Sequence, residues 1–166
     1  MNNKFGYNPF QEYNKDKNYS KNNNNFQKRD DNKSKYKSIS ELIEKIKSSK
    51  KLCNVLTIEE VNLPERASYK IAEELKSNLK TNQLRKIFEQ IKDCEQFLPD
   101  IEKTRNEMYK VLPLMAYAVG RDNCPKEFFE LMQACINSKS LQTEEDIKRL
   151  IEFLTAIVAY VKYFGK

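Results

Sequence analysis

The sequence predicts an all-α protein, a helical bundle of about five to six helices behind a disordered N-terminal tail. Three observations lead there. Apolar residues recur at helical spacing in one stretch after another from Ser38 onward. Prolines, glycines and capping residues bound those stretches where helices start and stop. No segment alternates apolar and polar residues as a half-buried strand does, and no internal repeat is visible.

The chain has 166 residues, enough for one domain with a real core. Residues 1–37 hold ten of its 17 asparagines, including the run Asn22 to Asn25, and lack any periodicity. This segment is expected to be a disordered, basic tail, and residues 38–166 the helical domain. The aromatics Phe5, Tyr7, Phe10, Tyr13, Tyr19, Phe26 and Tyr36 alternate there with Lys and Asn. Two readings stand for them. Aromatics and lysines together suit single-stranded nucleic acid, while an AT-rich genome inflates the same residue types wherever structure imposes no constraint.

The domain begins at Ser38, where Ser38 and Glu41 have the spacing of a capping box and Ile39, Leu42, Ile43 and Ile46 form one apolar face. After a connector, Leu63-Pro64 opens a second helix with Ala67, Ile71, Ala72, Leu75 and Leu79, since proline is tolerated in a first turn. Thr81 is the expected N-cap of a third, with Leu84, Ile87, Phe88 and Ile91, and Pro99 ends it. Asp100 caps a long fourth helix carrying Ile101, Met108, Leu112, Met115 and Val119. Pro113 lies inside this helix, so a kink or a break is expected between Tyr109 and Pro113. Gly120 supplies its stop. Pro125 starts a fifth helix with Phe128, Phe129, Leu131, Met132, Cys135 and Ile136. Thr143 caps a sixth that runs toward Gly165. Between Leu150 and Phe164 this last helix is apolar nearly all round, which calls for a place at the centre of the bundle or under a partner subunit. It is too short and interrupted to span a membrane.

Composition narrows the chemistry. The net charge of +6 divides unevenly: residues 1–37 carry nine Lys/Arg against four Asp/Glu, and the rest 21 against 20. Any basic surface on the domain must therefore come from the arrangement of charges rather than an excess. There is no histidine, which removes the commonest general base. The carboxylate runs Glu73-Glu74 and Glu144-Glu145-Asp146 read as solvated helix surface. Glycines at 6, 120 and 165 alone cannot build a phosphate loop. Cys53, Cys94, Cys124 and Cys135 are scattered without a Cys-x-x-Cys pair, so no metal site and no cofactor are expected. No apolar signal segment is visible, and a cytoplasmic protein with reduced thiols is the simplest expectation. The sequence points to a binding protein rather than an enzyme.

Three stretches carry a family resemblance: Thr81 to Phe88 (TNQLRKIF), Leu112 to Arg121 (LPLMAYAVGR) and Phe153 to Gly165 (FLTAIVAYVKYFG). In this order and spacing the chain resembles the Csm small subunit of type III-A CRISPR effector complexes over roughly Leu79 to Gly165. It departs from the family pattern in Asn82, where Ser or Thr is usual, and in Gly165-Lys166, where two glycines are usual. The resemblance implies a non-catalytic subunit of antiviral defence that stacks in several copies along a ribonucleoprotein filament. Its partners would be the guide RNA, the target RNA, the backbone and large subunits, and other copies of itself. Base pairing with the guide would select sequence, leaving backbone and shape to the protein. An interaction module without RNA binding is the alternative.

The resemblance directs attention to Lys80, Arg85, Lys86, Arg121 and Lys162 as RNA contacts, with Arg suited to phosphate by its planar fork. Each has a structural rival. Arg85 shares a helix stripe with Glu89 and Lys92 and could pair there. Arg121 could satisfy helix C-terminal carbonyls, and Lys162 could reach from an apolar helix to water. Tyr117, Tyr160 and Tyr163 could stack on bases, but their spacing among Ala, Val and Ile favours a place in the core or a subunit interface.

Overall fold

In a computed structural model, residues 35–165 can be described. The expectations placed on residues 1–34, the disordered tail and its aromatics up to Phe26, lie outside the described residues. Among the described residues there are α-helices and two 3₁₀ turns but no strand. The helices are α1 (Lys37–Ser48), α2 (Ile58–Asn62), α3 (Ala67–Leu75), α4 (Thr81–Asp93), α5 (Ile101–Tyr109), α6 (Val111–Gly120), α7 (Lys126–Cys135) and α8 (Glu144–Phe164). Every apolar stripe read from the sequence has its helix. The additional pieces are the short α2 inside the connector and the division of the expected fourth helix into α5 and α6.

That division follows from Pro113. Its ring and missing N–H forbid a continuous helix through Tyr109. The chain tightens instead at Lys110, whose N–H reaches Glu107 O at 3.1 Å, and helix restarts at Val111. Pro113 then sits in the first turn of α6, where no carbonyl awaits its N–H. At the other end Gly120 is not the left-handed stop expected of it. It remains helical, and Asp122 takes the left-handed backbone with φ of 54°.

Several helix starts differ from the sequence expectation. Helix α1 begins at Lys37, ahead of Ser38, and no side chain of its own caps it. Glu74 of α3 does so from across the fold, accepting from Ser38 N at 2.7 Å and Ile39 N at 3.2 Å. The preceding Tyr36 is buried in the core. Pro64 lies before α3 rather than in its first turn. Arg66 N reaches Leu63 O at 3.4 Å and Glu65 has φ of 62°, the pattern of a type II turn with proline at its second position. Glu60 then caps α3 by accepting from Ala67 N at 3.2 Å. Thr81 is the first helical residue of α4 rather than its cap, a one-residue shift. Asp100 does cap α5, accepting from Lys103 N at 3.0 Å.

The core is organised about α8, which packs against α2, α3 and α4 and against the 3₁₀ turn Leu52–Asn54. Helix α7 joins α1 to α6, and α6 also meets α4. Ile147, Leu150, Phe153, Leu154 and Ile157 of α8 are all fully buried, so this helix is central within its own chain. The connector is not a spacer, because Leu52, Leu56 and Val61 are buried as completely as the helix stripes.

The start of α8 is anchored by one buried carboxylate. Asp146 is 0% exposed. One oxygen accepts from Cys53 N at 3.0 Å. The other accepts from Gln142 N at 3.1 Å, Thr143 N at 3.0 Å and the Thr143 hydroxyl at 2.8 Å. The expected Thr143 cap is therefore half of a capping box whose other half also holds the connector. Burial pushes the Asp146 pKa up, but the hydrogen bonds from Cys53 and Thr143 outweigh it and hold the carboxyl below the ordinary range.

These contacts set how stability should respond to substitution and to pH. Asp146→Ala leaves several buried donors unpaired and should cost about 3 kcal/mol or more in urea unfolding. The depressed folded-state pKa makes the carboxylate's contribution complete above the unfolded value, about 3.9, and lost as pH falls through the folded value. The stability gap between wild type and Asp146→Asn should thus narrow below about pH 4; a gap constant into stronger acid would contradict the assignment. Glu74→Ala should cost about 1–2 kcal/mol through loss of the α1 cap, whereas Ser38→Ala should stay within about 0.5 kcal/mol. The reverse ranking would restore the local capping box.

Candidate functional site

The cations of the domain fall into two groups. Some hold the fold together. Arg105 donates to Leu141 O at 3.1 Å, and Lys139 Nζ to Lys47 O at 2.7 Å. Arg149, with a side chain 11% exposed, pairs with Glu152 at 3.1 Å and donates to Leu56 O at 3.4 Å. Others meet solvent. Lys80, Arg85, Lys86, Arg121 and Lys162 are all exposed, and among the described residues none of them makes an ion pair. The pairing of Arg85 with Glu89 that the sequence allows is thus not made.

Local sequence explains this freedom. From Lys76 to Phe88 the chain carries Lys76, Lys80, Arg85 and Lys86 and no carboxylate. The α3–α4 turn and the start of α4 therefore form a cationic stretch in a domain that is otherwise nearly neutral. Lys76, which the sequence reading passed over, ties this stretch to α8. Its Nζ lies 5.0 Å from the centre of the Phe164 ring, while Glu73 takes up part of its charge at 3.6 Å. The turn ahead of Lys80 thus reaches the last turn of α8, which carries Lys162. Arg85 and Lys86 continue the charge along the exposed side of α4, whose opposite side buries Leu84, Ile87 and Ile91.

Arg121 belongs to another element, the end of α6. Its guanidinium donates to the Tyr117 hydroxyl at 2.9 Å and lies 5.6 Å from that ring's centre. It is held by a side chain one turn back rather than by terminal carbonyls. Tyr117 itself is 65% exposed, beside Leu114 at 48%. Of the two places expected for these tyrosines, core or subunit interface, exposure removes the core for Tyr117, and equally for Tyr163 at 62% exposure. Tyr160 is half-buried, and its hydroxyl donates to Asn62 O at 2.7 Å. The cause is geometric: α8 turns its Leu150, Leu154, Ile157 and Val161 side inward, which leaves Lys162 and Tyr163 outward in its final turn.

The remaining features offer little to chemistry. An open depression of about 680 Å³ between α1 and the start of α3 has charges of both signs, with Lys37 near Glu41 at 3.8 Å and Arg66 near Glu60 at 3.7 Å. Burial pushes the Cys94 thiol up to about 11 and those of Cys124 and Cys135 to about 12, so they are inert at neutral pH. Among the described residues no cluster of His, Cys, Asp and Glu could hold a metal ion. No helix among them is long and apolar enough to cross a membrane.

Comparison with known proteins agrees with the motif resemblance and extends it. The family model for Csm2 Type III-A matches residues 58–166, well over half of the chain. The match reaches upstream of Thr81 to include α2 and α3, and so covers Lys76 and all five candidate RNA contacts. No curated protein and no solved structure matches the chain. The chain belongs to the Csm2 Type III-A family, the small subunits of type III-A CRISPR effector complexes.

Proposed function

We propose that the protein is a non-catalytic small subunit that stacks in several copies along the effector filament and grips guide and target RNA by their backbones, without reading sequence. The observation that carries this reading is the cationic stretch of the α3–α4 turn and the start of α4, in which Lys80, Arg85 and Lys86 are exposed and, among the described residues, make no ion pair. Backbone recognition needs cations that are not already neutralised, and guide pairing makes base readout by the protein unnecessary. Arg121 is the second anchor. The hydrogen bond it donates to the Tyr117 hydroxyl restricts its rotamers and so lowers the entropy lost when it meets a phosphate. The absence of histidine is in keeping with a subunit that leaves RNA cleavage to its partners.

A pure interaction module is the second reading, favoured by the exposed Leu114 and Tyr117 on α6. Such a module would purify without nucleic acid, and its absorbance ratio would not respond to RNase. The RNA-binding reading predicts that affinity for single-stranded RNA falls with salt by about 0.7 log units per log unit for each phosphate engaged. Replacing Arg85 and Arg121 by Glu should weaken binding about ten-fold or more on any RNA sequence and flatten the salt dependence by about 1.4 log units per log unit. Fluorescence anisotropy across a salt series measures both. Unchanged affinity in the double variant would remove these residues from the interface.

A further inference from the structure

The end of α8 carries an aromatic cluster that the backbone contacts proposed above do not use. Tyr163 packs on Phe164 with ring centres 5.4 Å apart and planes at 66°. Phe164 in turn meets Tyr69 of α3 at 4.9 Å and 69°, and Tyr69 meets Tyr160 at 5.1 Å and 74°. All three contacts are edge-on. Tyr160 is further pinned by its hydrogen bond to Asn62 O. The outermost ring therefore rests on a braced base, yet a tilted contact cannot occupy both of its faces, and Tyr163 remains 62% exposed. One face of the ring is thus open for something to stack on it.

The surrounding charge says what that something is. Lys162 adjoins Tyr163 in sequence, Lys76 lies over the neighbouring Phe164 ring, and Lys80 ends the same turn. Glu65 and Glu73 lie about Tyr69, and Glu73 is taken up by Lys76. An exposed ring in the turn that carries Lys162, next to a ring that Lys76 lies over, suits a ligand that is aromatic at its centre and anionic at its edge, which describes a nucleotide. We propose that Tyr163 is a stacking platform for an unpaired base of single-stranded RNA, with Lys76, Lys80 and Lys162 taking the flanking phosphates. This rests on the RNA-binding reading above and adds to it a contact that salt does not screen.

The test uses the full chain and single-stranded oligoadenylate and oligouridylate of equal length, with affinity measured across a salt series. Tyr163→Ala should weaken oligoadenylate binding by about five-fold to 150-fold while leaving the salt slope unchanged, and Tyr163→Phe should bind as wild type does. Wild type should prefer the adenylate, the better stacker, and Tyr163→Ala should lose that preference. Ultraviolet cross-linking of wild type should place the RNA on the peptide containing Tyr163, a readout independent of any variant's folding. If Arg85→Glu weakens binding but Tyr163→Ala does not, the platform is overturned and the backbone reading stands. Loss of self-association in Tyr163→Ala with RNA affinity intact would make the cluster a protein interface and equally overturn it. Failure of wild type to bind either oligonucleotide would overturn both readings.

Discussion

The arrangement of the whole domain depends on where α8 begins, and the Asp146 carboxylate decides that. Four donors from the two strands of chain flanking it converge on its two oxygens. A carboxylate in this position is favoured twice, by those hydrogen bonds and by the partial positive charge at a helix N-terminus. The bond to Cys53 N is the one that matters for tertiary structure, because it joins residues 93 positions apart in sequence. It fixes the 3₁₀ turn against α8, and neighbouring bonds reinforce the seat: Leu52 N to Ser140 O at 3.1 Å and the Gln142 side chain to Lys50 O at 2.7 Å. A charged group is a costly anchor unless every lone pair is occupied, and its directionality is what an apolar contact lacks. Sliding α8 by one residue would break this set together.

With its start fixed, the composition of α8 dictates the rest. A helix apolar on nearly all sides must be surrounded, and α2, α3 and α4 supply the surroundings along most of its length. Its last turn outruns them on one side. There the apolar character changes from aliphatic to aromatic, through Tyr160, Tyr163 and Phe164; Tyr69 of α3 meets Tyr160 and Phe164 edge-on, and Tyr163 rests edge-on against Phe164 alone. Tyrosine is the residue that tolerates such a boundary, since its ring packs and its hydroxyl meets water or a carbonyl.

Features set by neighbours in sequence were legible, and features set by neighbours in space were not. Each apolar stripe identified its helix, and Pro113 announced the division between α5 and α6, because periodicity and proline act within a few residues. The start of α1 was misread for the opposite reason. Ser38 and Glu41 have the right spacing for a capping box, but Glu74, 36 residues away, reaches Ser38 N first. Pro64 suits a helix start and a type II turn equally well, and the left-handed Glu65 with the bond from Arg66 N to Leu63 O decides for the turn. The candidate site divides in the same way. The motif resemblance singled out Lys80, Arg85, Lys86, Arg121 and Lys162. It could not show that Tyr117 holds Arg121, although their i, i+4 spacing permits the contact. Nor could it show that Lys76 links the α3–α4 turn to Phe164, a contact across 88 positions of sequence.

The charge count offers the least direct clue to function, and the structure shows how a nearly neutral domain can still present a cationic surface. Several of its carboxylates are engaged within their own helices: Glu44 with Lys47, Glu107 with Lys110, Glu130 with Lys126, Glu144 with Lys148. Such exposed pairs add little stability. Their consequence is spatial, since each cancels its own charge in place and contributes little field beyond a Debye length. Lys80, Arg85 and Lys86 are left without a counter-charge because no carboxylate occurs between Glu74 and Glu89. A uniformly basic protein would hold any nucleic acid strongly and indiscriminately. A neutral one with a local gap in its acidic residues would hold RNA only where that gap faces it, which is what the proposed backbone-binding role requires.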